Sequence, residues 1–170
     1  MPEHSTDALF LFTFVFKQAL IFRKFGLRNG LVIMLFIAIT IAAVDQTCSS
    51  LIRPLAGRMR PSNPDNPLSQ YVHIVNGYNG GRYGFPSCHA ANASALVVYI
   101  SLLFRRRWVT VGMTTWMLLM IYSRMYLGVH YPGDLICGAA VGGFWALNFY
   151  GMMLFYKRMR ERLPFRRYLL

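Results

Sequence analysis

The stretch LICGAAVGGFWALNFYGMMLFY, residues 135–156, runs for 22 residues without a charged side chain. Wound as an α-helix at about 1.5 Å per residue, it is long enough for the ~30 Å hydrocarbon core of a bilayer. Four shorter apolar runs precede it, at roughly residues 8–22, 31–44, 90–104 and 108–122. These borrow polar flanks such as residues 45–50 or 87–89, and Lys17 and Gln18 interrupt the first. A soluble domain of 170 residues that is 55% hydrophobic cannot hide its apolar surface, because small domains leave a large share of it wet. The expected fold is therefore an all-α polytopic membrane helix bundle of about five transmembrane helices. Within the last helix, Gly138 and Gly142 form a G-x-x-x-G step, read as a close-packing face rather than a dimer motif.

The charge pattern orients that bundle. The formal net charge is +12, which in a polar protein would suggest nucleic acid. Combined with apolar runs it points to a bilayer and to no nucleic-acid partner, since Lys and Arg gather in cytoplasmic loops. Thirteen of the 18 basic residues fall in 17–28, 105–107 and 157–167, one side of the membrane if all five runs span. The chain is thus expected to be one membrane-embedded domain over residues 1–170. Residues 51–88 form an extracytoplasmic loop, and 157–170 a basic cytoplasmic tail. Glu3 and Asp7 stand where a signal peptide would be basic, so the first run is expected to be a retained helix. In the loop, Leu68, Tyr71, Val72 and Val75 follow helical spacing and predict a short helix on the membrane surface. Cys48, Cys88 and Cys137 have no metal-ligand spacing and are odd in number, which argues against a disulfide framework.

Five basic residues break the charge rule: Arg53, Arg58, Arg60, Arg82 and Arg124. Arg53, Arg58 and Arg60 leave the second helix, Ser87 and His89 open the third, Arg124 closes the fourth, and His130 and Asp134 open the fifth. All fall at the extracytoplasmic helix ends, the expected active site. Guanidinium forks suit phosphate oxygens, and helix N-termini near His89 and Asp134 favour an anion. No carboxylate cluster suits a divalent metal, so no metal and no cofactor is expected, and a side chain must act as nucleophile. His130 lies four residues before Asp134, close enough for the carboxylate to orient its ring.

The residues also compose three ordered motifs. Arg53 through Arg60-Pro61 follows K-x6-R-P with Arg at the lysine position; Pro86-Ser87-Cys88-His89 follows P-S-G-H; Ser123-Arg124, His130 and Asp134 keep the spacing S-R-x5-H-x3-D. In these the chain resembles the type 2 phosphatidic acid phosphatases, over about residues 45–156. The resemblance implies that His130 attacks phosphorus and forms a phosphohistidine, with Asp134 orienting it. His89 would protonate the leaving alkoxide and later activate water. Arg53, Arg60, Ser87 and Arg124, with backbone N–H groups at Cys88 and His89, would hold the phosphate oxygens. Arg53 for Lys and Cys88 for Gly depart from the pattern, the second being tolerable only if φ need not be positive. Membrane members usually have six helices, and this chain is expected to begin at the second.

The expected function is a metal-independent lipid phosphatase in the bacterial inner membrane, its site facing the periplasm. Its partners are the bilayer and a lipid phosphate: phosphatidate, phosphatidylglycerophosphate, undecaprenyl pyrophosphate or a lipid A phosphate. Oligomeric state is not readable. Vanadate-dependent halide oxidation on the same site and a non-enzymatic lipid-binding or transport role are the alternatives. A cysteine phosphatase built on Cys88 would need Arg six residues later, where Ser94 stands. Arg58 and Arg82 are read as headgroup contacts or loop supports, with a direct phosphate role as the alternative, and Asp45 as a structural partner for a nearby Arg.

Overall fold

The computed structural model describes residues 3–74 and 80–162. Val75, residues 76–79 and the end of the basic tail lie outside them. All the regular structure of the described residues is helical, and the single β-type contact among them is the isolated antiparallel bridge between Met59 and Tyr83. Five α-helices follow in order: α1 (Glu3–Asp45), α2 (Arg53–Ala56), α3 (Cys88–Phe104), α4 (Arg107–Tyr126) and α5 (Pro132–Arg162). A π-helical turn, Gln46–Ile52, links α1 to α2, and a 3-10 turn, Ser69–Tyr71, lies in the long loop. Two helical stretches, Leu20–Ala56 and Pro132–Glu161, are long and apolar enough to cross a membrane, and Cys88–Phe104 is a shorter apolar helix.

The chain divides into two compact units, Met1–Ala38 and Ile39–Leu170. The two leading apolar runs both fall on α1, which is interrupted at Gly26 (φ 74°, ψ 170°), and the second run crosses the boundary between the units. In the second unit, α3 is the central helix and packs most extensively on α5, then on α4. Gly138 and Gly142 make the α3–α5 approach possible. A Cβ on either would collide with backbone, that of Ser87 and of Ala91 respectively. The expected close-packing face is therefore present, directed at α3. Ser94 donates to the carbonyl of Ala139 (2.8 Å), and further along Tyr99 meets Tyr150 edge-on at 5.5 Å. Successive contacts advance along both helices together, so α3 and α5 run parallel and α4 returns between their opposite ends.

The turn from α3 to α4 is only Arg105 and Arg106, and Arg105 takes the left-handed conformation (φ 50°) that closes a helix C-terminus. Among the described residues, the surface helix expected over Leu68–Val75 does not continue past a single turn. Only Ser69–Tyr71 turns, and Val72 is extended. Asn66 leads into that turn: its side-chain oxygen accepts the Leu68 N–H at 3.1 Å. Nor does Asp45 pair with an arginine; it is exposed, and the ion pairs among the described residues are both made by Asp134.

Candidate active site

Backbone pairing brings the motifs together. The Arg60 N–H donates to the Arg82 carbonyl (3.1 Å) and the Gly84 N–H to that of Arg58 (3.0 Å), laying residues 58–60 along 82–84. The Ser87 N–H donates to the Asp134 carbonyl (3.0 Å), which ties the start of α3 to the start of α5. Asn66 donates from its amide to the Arg60 carbonyl (2.9 Å) and to the Tyr131 hydroxyl (3.1 Å), so the long loop is fastened to the same place. Gly84 sits where a Cβ would press on Arg60 and approach Asp134.

Asp134 is the centre of the arrangement. Its side chain is 1% exposed. Oδ1 accepts from Arg58 at 3.0 Å, and Oδ2 accepts from the Tyr131 N–H at 2.9 Å. His130 precedes α5, whose first residue is Pro132, the helix position where a missing N–H costs nothing. Its Nδ1 stands 3.5 Å from Asp134 Oδ2 without completing a hydrogen bond. Such contacts often tighten only when substrate is bound.

Ser87 caps α3: its hydroxyl oxygen accepts from the Ala90 N–H at 3.4 Å. The first two helical N–H groups, those of Cys88 and His89, have no capping partner among the described residues, which leaves an anion-seeking helix end. Cys88 needs no positive φ; Arg105 is the only non-glycine residue in that region among those described. The condition for replacing glycine there is met. Cys88 Sγ accepts from Arg53 at 2.8 Å, and the same nitrogen reaches the Pro86 carbonyl at 3.4 Å. His89 is exposed at this helix end, and the charges of Arg124, Arg60 and Arg53 and the imidazole of His130 all bear on it. Every site residue expected from the sequence is thus found in one neighbourhood.

Two guanidinium N–H groups, Nε of Arg53 and of Arg124, are buried without hydrogen-bond partners. A buried charged donor left unpaired is costly, and a phosphate oxygen is the kind of acceptor that relieves it. Both Asp134 oxygens are already engaged by donors, and among the described residues no three His, Cys, Asp or Glu side chains gather.

The sequence reading missed Arg58 as the partner of Asp134, Tyr131 beneath it and Gly84 beside it. Arg58 lies with its guanidinium carbon 4.3 Å from the Tyr131 ring centre. The Arg58-x-Arg60 spacing, which puts both side chains on one side of an extended segment, was the available signal.

The family model described as the PAP2 superfamily matches residues 30–158. The chain is 48% identical over 131 residues to the lipid A 4'-phosphatase of Bacteroides thetaiotaomicron, covering 77% of this chain and 58% of that protein. It is 39% identical over 123 residues to the lipid A 4'-phosphatase of Porphyromonas gingivalis, 72% of this chain and 51% of the other. It is 36% identical over 100 residues to the decaprenylphosphoryl-5-phosphoribose phosphatase of Mycolicibacterium smegmatis, 57% of this chain and 48% of that one. The chain thus spans about half the length of the curated relatives it matches. No solved structure matches it.

Proposed function

The chain belongs to the PAP2 superfamily, and on that premise we propose that it is a metal-independent membrane phosphatase removing a phosphate monoester from lipid A. The reading is carried by one observation: the buried His130–Asp134 pair, His89 and the unpartnered guanidinium donors of Arg53 and Arg124 meet in one neighbourhood. Two relatives named lipid A 4'-phosphatase direct the choice among lipid phosphates. Phosphatidate, phosphatidylglycerophosphate and undecaprenyl pyrophosphate are the other substrates the site would accommodate by chemistry.

The mechanism is a double displacement. Neutral His130 attacks phosphorus through Nε2 while Nδ1–H faces Asp134, whose charge stabilises the imidazolium that forms. Arg53, Arg60 and Arg124, with Ser87 and the N–H groups of Cys88 and His89, balance charge on the transferring group. Partial burial and the neighbouring Arg124 lower the His89 pKa to about 4 in the free protein. The negative charge of the bound phosphate offsets them, so that His89 takes up a proton with substrate. It gives that proton to the leaving sugar oxygen as the P–O bond breaks, then takes a proton from water. That water attacks the phosphohistidine, the P–N bond breaks, and inorganic phosphate leaves with His130 restored. An exposed His89 opposite a buried His130 suits this division, since the acid must meet the leaving group and water.

The whole of residues 1–170 would act as one membrane-embedded domain whose five apolar runs cross the inner membrane. The site would open to the periplasm and the basic ends would remain in the cytoplasm. Purified protein in excess EDTA should release phosphate from lipid A, and denatured, briefly pulsed enzyme should carry acid-labile, base-stable phosphate. His130→Ala should lower turnover by about 10³-fold or more and abolish the labelled intermediate. Turnover that survives in His130→Ala, or that EDTA removes, refutes the mechanism.

A further inference from the structure

The proposed roles leave unused an ion pair that the structure places behind the nucleophile. Asp134 is held from two sides. Oδ2 takes the Tyr131 N–H and faces His130 Nδ1, while Oδ1 takes Arg58 at 3.0 Å. Arg58 is itself fixed. Its carbonyl accepts the Gly84 N–H, and its guanidinium lies over Tyr131, 4.3 Å from the ring centre, with Phe85 6.0 Å away. The Arg58 side chain is 43% exposed, so its outer edge is wet while its inner edge meets a buried carboxylate. No other Arg or Lys is paired with Asp134 among the described residues.

We propose that Arg58 is a positioning residue, which holds Asp134 ionised and its carboxylate plane fixed so that His130 stays neutral and oriented for attack. The inference rests on the reading of His130 as nucleophile. A carboxylate sealed from water must have a counter-charge. If the only candidate were His130, the pair would settle as imidazolium and carboxylate, and an imidazolium cannot attack phosphorus. Arg58 supplies that counter-charge permanently, so Asp134 does not depend on a proton on His130 to balance it. The other charged groups of the site are His89 at the start of α3 and, bearing on it together with His130, Arg124 at the end of α4, Arg60 beside Gly84 and Arg53 on α2; none is changed by substituting Arg58.

The sign of the pH effect follows. Removing a cation beside the Asp134–His130 pair makes the pair hold its proton more tightly, so a higher pH is needed to free His130. Arg58→Met, assayed on lipid A in detergent micelles, should lose about 30-fold or more in kcat with KM changed less than about twofold. The acid limb of its kcat/KM profile should move up by about one pH unit. Arg58→Lys should restore kcat to within about fivefold and return the limb, because it keeps the charge. Arg58→Gln, which keeps a donor without the charge, should show the same raised limb even if Arg58→Met fails to fold.

An unchanged kcat in a folded Arg58→Met or Arg58→Gln overturns the proposal. A raised KM with an unmoved limb overturns it too, by making Arg58 a phosphate contact. Equal loss at every pH without rescue by Lys reduces the residue to structure alone. His130→Ala is assayed alongside. If it stays active, the nucleophile reading fails; if it is dead while the Arg58 variants behave as wild type, only the positioning role of Arg58 fails.

Discussion

Arg53 and Cys88, the two residues that depart from the family motifs, touch each other. Arg53 donates to Cys88 Sγ at 2.8 Å and to the Pro86 carbonyl at 3.4 Å. A lysine at 53 could offer its single nitrogen to the same two acceptors, but it would lack the Nε–H that Arg53 keeps unpartnered beside them. A glycine at 88 removes the sulfur that steadies the fork. The two changes are therefore expected to be coupled. Arg53→Lys and Cys88→Gly should each lower kcat/KM, and the double variant, which restores the family pattern, should lose less than the two combined. A double-mutant cycle should give a coupling of about 1 kcal/mol; strictly additive losses would make the contact incidental. At this scale His130, Asp134 and the arginines were legible because motif spacing carries them. The role of Arg58 was not. Its partner lies 76 residues away, and the pairing of residues 58–60 with 82–84 that joins them leaves no periodic trace in the sequence.

Among the elements, α5 decides how far the site can close. Gly138 lies against the Ser87 carbonyl and Gly142 against that of Ala91, so the N-terminal turn of α3, with its cap, rests on bare helix backbone. Backbone cannot rotate out of the way as a side chain can. Gly142→Ala should therefore force the helices apart and cost about 1–3 kcal/mol, visible as a lower unfolding temperature in detergent. Gly151, on the same helix, faces open space: nothing lies within 4 Å of the point where an added methyl group would stand. Gly151→Ala should be neutral or raise stability by up to about 1 kcal/mol through helix propensity alone. Equal behaviour of the two variants would remove the packing explanation. The glycine step and the three later helices could be read directly, since apolar length and small-residue spacing encode them. The segment after Pro67 could not. Its helical periodicity yields only the single turn Ser69–Tyr71 before the extended Val72, an ending that hydrophobic spacing does not report.

Across residues 39–170 the molecule is polar end to end. The starts of α3 and α5 and the finish of α4 carry His89, His130, Asp134 and Arg124; the opposite ends carry Arg105, Arg106, Arg107, Lys157 and Arg158. Both ends are basic, so net charge alone would not orient the bundle. The distinction is that Arg58 is paired with Asp134 and Arg53 is bonded to Cys88 and Pro86, whereas the three consecutive arginines at the α3–α4 turn form a short polar connection. Short connections rich in Arg are what the insertion machinery retains on the cytoplasmic side. Under the proposed reading, Arg53 and Arg58, held by protein partners, would be exempt from that bias. Cysteines introduced at two exposed acidic positions separate the orientations without removing a basic residue. Asp65→Cys, in the long loop, should react with a membrane-impermeant thiol reagent in intact spheroplasts. Glu161→Cys, at the end of α5, should react only after lysis, with the parent chain setting the background from its own cysteines. Labelling in the reverse order would put the site in the cytoplasm, and labelling of both in intact spheroplasts would remove α5 from the membrane.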